Sequence, residues 1–287
     1  MKKVCVLIVG QMRTNSLSGE SLTTLDVLDS MRKYIFNSSF DSDVFISTDN
    51  IDLKKASDFF GDSLKNVHIS KHNNTPDFFL KNIEEKTPSL EYFFNLYDTY
   101  DLDGNDSFKY QVNQFYRALC CFNMVEDYMK YDYIMIMRPD LLYYRDLSYM
   151  VDYLNKTEDC KLVGNLNYYA MGRPEIMKHY CDLSYKFGSY NKNKKNYNIT
   201  TNNICSSEFF NDVDTKRWTF SPEIQLACHL YEYCLAENLV IDKTLCMVSC
   251  EVLIVRHWMI DKCDSCYVCT SGLAEKESLY KHFKQLN

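Results

Sequence analysis

The 287 residues carry a formal net charge of −7 without a long basic run, and so lack the clustered Lys and Arg that a nucleic-acid backbone demands. Apolar residues make up 46%, enough for one large buried core, while only 8 Gly and 5 Pro argue against repeats, flexible linkers and Gly-rich phosphate loops. The 13 cysteines are scattered and odd in number; with no secretory leader and no apolar run near the ~20 residues that span a bilayer, they read as reduced thiols of a cytoplasmic protein.

Residues 3–10 (KVCVLIVG) form a nearly continuous β-branched run, the pattern of a strand buried on both faces, with Gly10 opening the turn that follows. Residues 21–36 have apolar positions near helical spacing, and DVFIST (43–48) is a second strand ending in Thr48, Asp49 and Asn50. A helix around 53–60 leads to a third strand at 66–70. After a less regular region, Phe108, Val112, Phe115, Leu119, Phe122 and Met129 mark one face of a long helix, capped at Asp106 or Ser107.

YIMIM (133–137) is the next buried strand, closed by Arg138-Pro139-Asp140. Short strands are expected at 161–164 and 167–171, and a helix at 174–187 that starts on a proline. Ser221-Pro222-Glu223 starts another helix, running to about Glu237, and 239–241 and 247–255 read as late strands. Strand alternating with helix argues for an α/β domain with a mainly parallel central sheet covered on both faces.

In such a sheet, ligands gather at the carboxyl ends of the strands. Three polar groups follow the apolar strands directly: Gly10-Gln11-Met12-Arg13, Thr48-Asp49-Asn50 and Arg138-Pro139-Asp140. Guanidinium groups beside a small-residue turn and a carboxylate suit a nucleoside diphosphate, which needs local positive charge in an acidic protein. Gln114 and Arg117, one helical turn apart on the long helix, are in range of the same edge. Other Asp-x-Asp pairs (41/43, 101/103 and 212/214) lack this context, the first because it precedes its strand.

VLIVGQMRT, DVFIST and YDYIMIMRPDLLYY together resemble a group of GT-A-like glycosyltransferases from bacterial capsule or lipopolysaccharide clusters and from large DNA viruses. SPEIQLACHL and EVLIVRH resemble its downstream elements, so the likeness covers about half of the chain. It implies a single GT-A-like domain over 1–287, with a nucleotide-sugar-binding half (1–150), an acceptor-side half (151–260) and a C-terminal tail (261–287).

The resemblance puts Asp140 at the metal-binding carboxylate of the usual Asp-x-Asp motif, with His257 completing a shell for Mn²⁺ or Mg²⁺. Arg138 stands where the first Asp would be, so a guanidinium can take over part of the diphosphate neutralisation. Gly10, Gln11, Arg13, Thr48, Asp49, Gln114, Arg117 and Arg138 are then the donor-binding candidates. Glu223 is best explained by helix N-terminal electrostatics; its rival role is the general base, with Asp214 behind it as a candidate.

The expected activity moves a sugar from a nucleoside diphosphate sugar to a hydroxyl of a glycan or glycoconjugate. Tyr168, Tyr169 and Trp218 are candidates to face sugar rings. The alternative is a non-catalytic nucleotide- or carbohydrate-binding protein of the same fold. A dinucleotide enzyme is disfavoured because no G-x-G-x-x-G follows the first strand. Cys263, Cys266 and Cys269 are spaced for zinc but need a fourth ligand.

Overall fold

A computed structural model describes residues 1–12, 17, 27–36, 40–70, 104–143, 146–165, 168–186, 222–247, 252–254 and 267–268, with side chains from 114 in the long helix and from 225 after it. The first half alternates strand and helix: β1 (Lys3–Val9), α1 (Val27–Tyr34), β2 (Asp41–Thr48), α2 (Leu53–Phe60), β3 (Leu64–Ile69), α3 (Gly104–Asn123) and β4 (Tyr133–Met137). Then come β5 (Leu141–Tyr143), α4 (Ser148–Lys156), β6 (Leu162–Asn165), β7 (Tyr169–Gly172) and α5 (Pro174–Cys181). The chain continues with α6 (Pro222–Ala236), α7 (Ile241–Thr244), β8 (Leu245–Met247), β9 (Val252–Ile254) and β10 (Tyr267–Val268).

The main sheet has the order β3-β2-β1-β4-β7-β6-β8. β7 pairs antiparallel with both β4 and β6, while the other four pairings are parallel, so the sheet is mainly parallel as expected. β1 is apolar almost throughout because both of its faces are covered. Cys5, Leu7 and Val9 join the core beneath α3, α5 and α6, whereas Val4, Val6 and Ile8 join the core beneath α1, α2 and α4. Each such fully buried aliphatic side chain contributes roughly 1.5–3 kcal/mol. Cys5, Cys121 and Cys181 fill the first core, where burial pushes their thiols up and leaves them inert.

A second sheet, β10-β9-β5, is antiparallel, and β5 follows the end of β4 after a three-residue turn. Tyr143 of β5 donates its N–H to Ser30 Oγ of α1 at 3.1 Å, which ties this small sheet to the first helix. Among the described residues, no helix is long and apolar enough to cross a membrane.

Several expectations need correction. Residues 239–241 are not a strand: α6 ends through Asn238 at φ 53°, and α7 begins at Ile241. Asn tolerates this left-handed conformation, and Val240 is 61% exposed, so its β-branched side chain finds no sheet to enter. The run 247–255 is divided between two sheets, as β8 and β9. α3 begins at Gly104, so Asp106 and Ser107 lie inside its first turn rather than capping it. The helix from Pro174 closes at Cys181 and tightens into a 3₁₀ turn at Asp182–Tyr185.

Candidate functional site

The parallel strands β1, β2, β3 and β4 end on one edge, at Gly10, Asp49, Ser70 and Arg138. Two of these turns touch. Gly10 has φ +139°, a conformation that glycine adopts readily, and a Cβ there would sit 3.1 Å from Pro139 Cδ. Its N–H donates to Ser47 O at 3.1 Å, which ties the β1 turn to β2 as well. The absent side chain therefore lets the Gly10-Gln11 and Arg138-Pro139-Asp140 turns share one edge.

Within the second turn, Arg138 donates from Nε to Asp140 Oδ1 at 2.8 Å and from Nη2 to Asp140 Oδ2 at 2.7 Å. The side chains are 17% and 12% exposed, so this bidentate pair is shielded far more than a surface ion pair. Tyr168 lies with its ring centroid 5.6 Å from the guanidinium carbon. Tyr168, a candidate to face a sugar ring, thus packs beside Arg138. Tyr169 belongs to the core at 1% exposure, where it meets Tyr143 edge-on.

A second polar group lies under the ends of β2 and β3. Arg117 is 3% exposed and donates from Nε to Ser70 Oγ and from Nη2 to Ser70 O, both at 3.2 Å. Burial draws its guanidinium below the usual value, and the Asp49 carboxylate opposes that shift. Thr48 Oγ1 donates to Asp49 Oδ1 at 3.2 Å, and Ser70 N–H returns to Thr48 O at 2.8 Å. Ser47 Oγ meets His68 Nδ1 at 3.0 Å, and the His68 imidazole is held below its ordinary pKa by burial and by Arg117. Arg117 is therefore a buried prop for the turns of β2 and β3.

Of the expected site residues, Gly10, Gln11, Thr48, Asp49, Arg117, Arg138 and Asp140 fall at or directly beneath the carboxyl edge, and Gln114 lies on α3 one turn before Arg117. Glu223 falls in the first turn of α6, which begins at Pro222 as expected. Arg13, Asp214, Trp218, His257, Cys263, Cys266 and Cys269 lie outside the described residues. Pro139, Ser70, Ser47, His68 and the position of Tyr168 were not anticipated. The proline in Arg-Pro-Asp was the one available signal, because it fixes the turn that faces Gly10.

Mn²⁺ or Mg²⁺ takes several oxygen ligands, yet both oxygens of Asp140 accept from Arg138. Among the described residues, no three His, Cys, Asp or Glu side chains are grouped to hold a metal. The described donor set does not fit such an ion. A cavity of about 400 Å³ between α1 and α2, lined by Leu28, Arg32, Lys55, Asp58 and Phe59 among others, includes none of the site residues.

No family model matches the chain, and no curated protein matches it. Solved structures are similar to it, among them three transferases. Mouse xyloside xylosyltransferase 1 in its apo form has a TM-score of 0.40 at 6% identity, over 87% of this chain and 86% of that one. A "putative nucleotide-diphospho-sugar transferase" from Desulfovibrio desulfuricans G20 has a TM-score of 0.33 at 12% identity, over 99% of both chains. A cytidylyltransferase from Leptospira borgpetersenii serovar Hardjo-bovis has a TM-score of 0.31 at 14% identity, over 63% of this chain and 64% of that one.

Proposed function

We propose that the chain is a GT-A-like glycosyltransferase that takes a sugar from a nucleoside diphosphate sugar and joins it to a hydroxyl of a glycan or glycoconjugate. The observation that carries this reading is the contact of Gly10 with Pro139, which brings a side-chain-free backbone turn beside a held guanidinium at the carboxyl edge of the sheet. Pro139 fills the space where a Gly10 side chain would stand, and the guanidinium that this turn holds at the edge offsets the charge of a diphosphate.

In this reaction a glycosidic C–O bond forms to the acceptor oxygen, and the bond from the anomeric carbon to the diphosphate oxygen breaks. Negative charge grows on the departing diphosphate, so Arg138, with Arg13 of the G-Q-x-R turn, would stabilise it most at the transition state. Thr48 and Asp49 would border the base or ribose at the end of β2, with Gln11 and Gln114 nearby. In an inverting transfer, Glu223 or Asp214 would take the acceptor proton. The first half of the chain, to about residue 150, would hold the donor and the later half the acceptor.

The test is a thermal-shift screen against UDP-, GDP-, ADP- and dTDP-sugars, since a ligand bound by the folded state alone raises its melting temperature. It is followed by measurement of nucleoside diphosphate release. One donor class should stabilise the protein, and Arg138→Ala should lower release about 100-fold or more, the scale for loss of a transition-state charge stabiliser. Binding without turnover, with water or any acceptor, would identify a non-catalytic nucleotide-sugar binder. No stabilisation by any donor would sink the reading.

A further inference from the structure

Resting on the donor-binding reading, we infer that the Arg138 guanidinium takes the place of a divalent cation, so that this chain engages the donor diphosphate independently of Mn²⁺ and Mg²⁺. Asp140 is then a positioning residue for Arg138 rather than a metal ligand. The basis is the geometry of the turn between β4 and β5. Arg138 and Asp140 are paired through two N–H···O bonds of 2.8 and 2.7 Å, both oxygens of the carboxylate are engaged, and the pair is largely shielded from water.

Its setting is rigid on three sides. β4 is fully buried before it, β5 is fully buried after it, and Pro139 between the pair abuts Gly10. Tyr168 flanks the guanidinium itself. A hard cation arriving at Asp140 would have to claim oxygens already directed at Arg138, beside a positive charge that the turn holds in place.

The charge balance leads to the same result. Two carboxylates loaded with a divalent ion sum to zero, and so do Arg138 and Asp140 without an ion. A diphosphate therefore meets the same formal charge in either case. A guanidinium also offers its charge as directional N–H donors in a planar fork, which matches phosphate oxygens.

The experiment compares the Kd of the best donor from the screen, by calorimetry, in EDTA and in Mn²⁺, for the full chain and three variants. For the unmodified chain the two values should agree within about twofold, a difference too small for a ligand-coupled metal. Arg138→Asp, which recreates a carboxylate pair, should bind about 10-fold or more weakly in EDTA and recover in Mn²⁺. Asp140→Asn should weaken binding in both buffers by the same factor, because it loosens Arg138 without removing an ion. Arg138→Lys should also bind more weakly in both, since a point charge replaces the fork.

Binding of the unmodified chain only in Mn²⁺ overturns this inference while leaving the donor reading intact. So does a loss in Asp140→Asn confined to the Mn²⁺ buffer. Failure to bind any nucleotide sugar in either buffer removes both. The comparison within the unmodified chain needs no variant to fold, and the melting temperature without ligand controls for the others.

Discussion

The two ends of the main sheet use charge in opposite ways. At the amino end, Asp43 of β2 is 7% exposed and collects partners from other elements: Lys3 Nζ at 3.2 Å, Lys65 Nζ at 3.3 Å and Tyr131 Oη at 2.8 Å. Beside it, Asp132 accepts from Lys2 Nζ at 2.9 Å and from the Lys3 N–H at 2.8 Å. These contacts stitch β1, β2, β3 and the approach to β4 across long sequence separations. At the carboxyl end Arg117 is fastened from α3 to Ser70 in the same way, but Arg138 pairs with a residue two positions on, and Thr48 with its immediate neighbour. Charges that join elements act as fasteners; charges held within their own turns are oriented by the fold without closing it, and on the proposed reading are the ones that meet the donor. The Asp41-x-Asp43 pair, set aside in the sequence because it precedes its strand, sits at the fastening end.

Acid should have the largest effect and separates these regions from the α5–α6 contact. His179 and His229 stack with ring centroids 3.8 Å apart, and each Nε2 lies against the other's backbone carbonyl, at 2.9 and 2.7 Å. Both rings therefore carry a proton on Nε2. Burial and the neighbouring ring push His229 down to about 3, and burial lowers His179 as well. The unfolded chain takes up these protons first, so the contribution of the pair is complete above about pH 6.5 and is lost as pH falls towards His229's lowered value. Chemical denaturation across this range should show a loss of a few kcal/mol, and His229→Gln should flatten much of the slope.

The fasteners should respond lower down. Burial works against the Asp43 carboxylate, but hydrogen bonds from Tyr131, Lys3 and Lys65 outweigh it and hold its pKa below the usual value. Stabilisation from Asp43 is thus present above the unfolded value near 4 and is lost as pH falls through the lower folded one. Asp43→Ala should cost about 1–3 kcal/mol in urea unfolding by stranding the buried Tyr131 hydroxyl, and should leave the donor Kd unchanged. A change in Kd would break the division between the ends.

Gly10→Ala should act on both quantities. The positive φ and the 3.1 Å approach to Pro139 predict a stability loss of about 1–2 kcal/mol and a weaker donor Kd. The smallest effect is expected for Lys65→Met: the side chain is 42% exposed, so less than about 0.5 kcal/mol should be lost, with no change in binding.

β1, β2 and β4 were legible in the sequence because a strand covered on both faces must be apolar nearly throughout, and α6 because a proline opens it. The carboxyl edge was legible by the same logic, since polar residues must begin where burial ends. What the sequence withheld were contacts made by folding. Ser70 lies 47 positions from Arg117, and no spacing rule joins them. The Arg138–Asp140 pair spans only two residues, yet it takes a turn at Pro139 to set the guanidinium against both oxygens. Residues 239–241 misled because a short β-branched run does not reveal whether a neighbouring strand is there to receive it.

The three residues from β4 to β5 also carry the chain out of one sheet and into another, with Leu141 in register with Ile254 of β9. Their number is therefore a geometric constant of the molecule. Lengthening this crossover by one residue would either slip β5 against β9 or part Pro139 from Gly10.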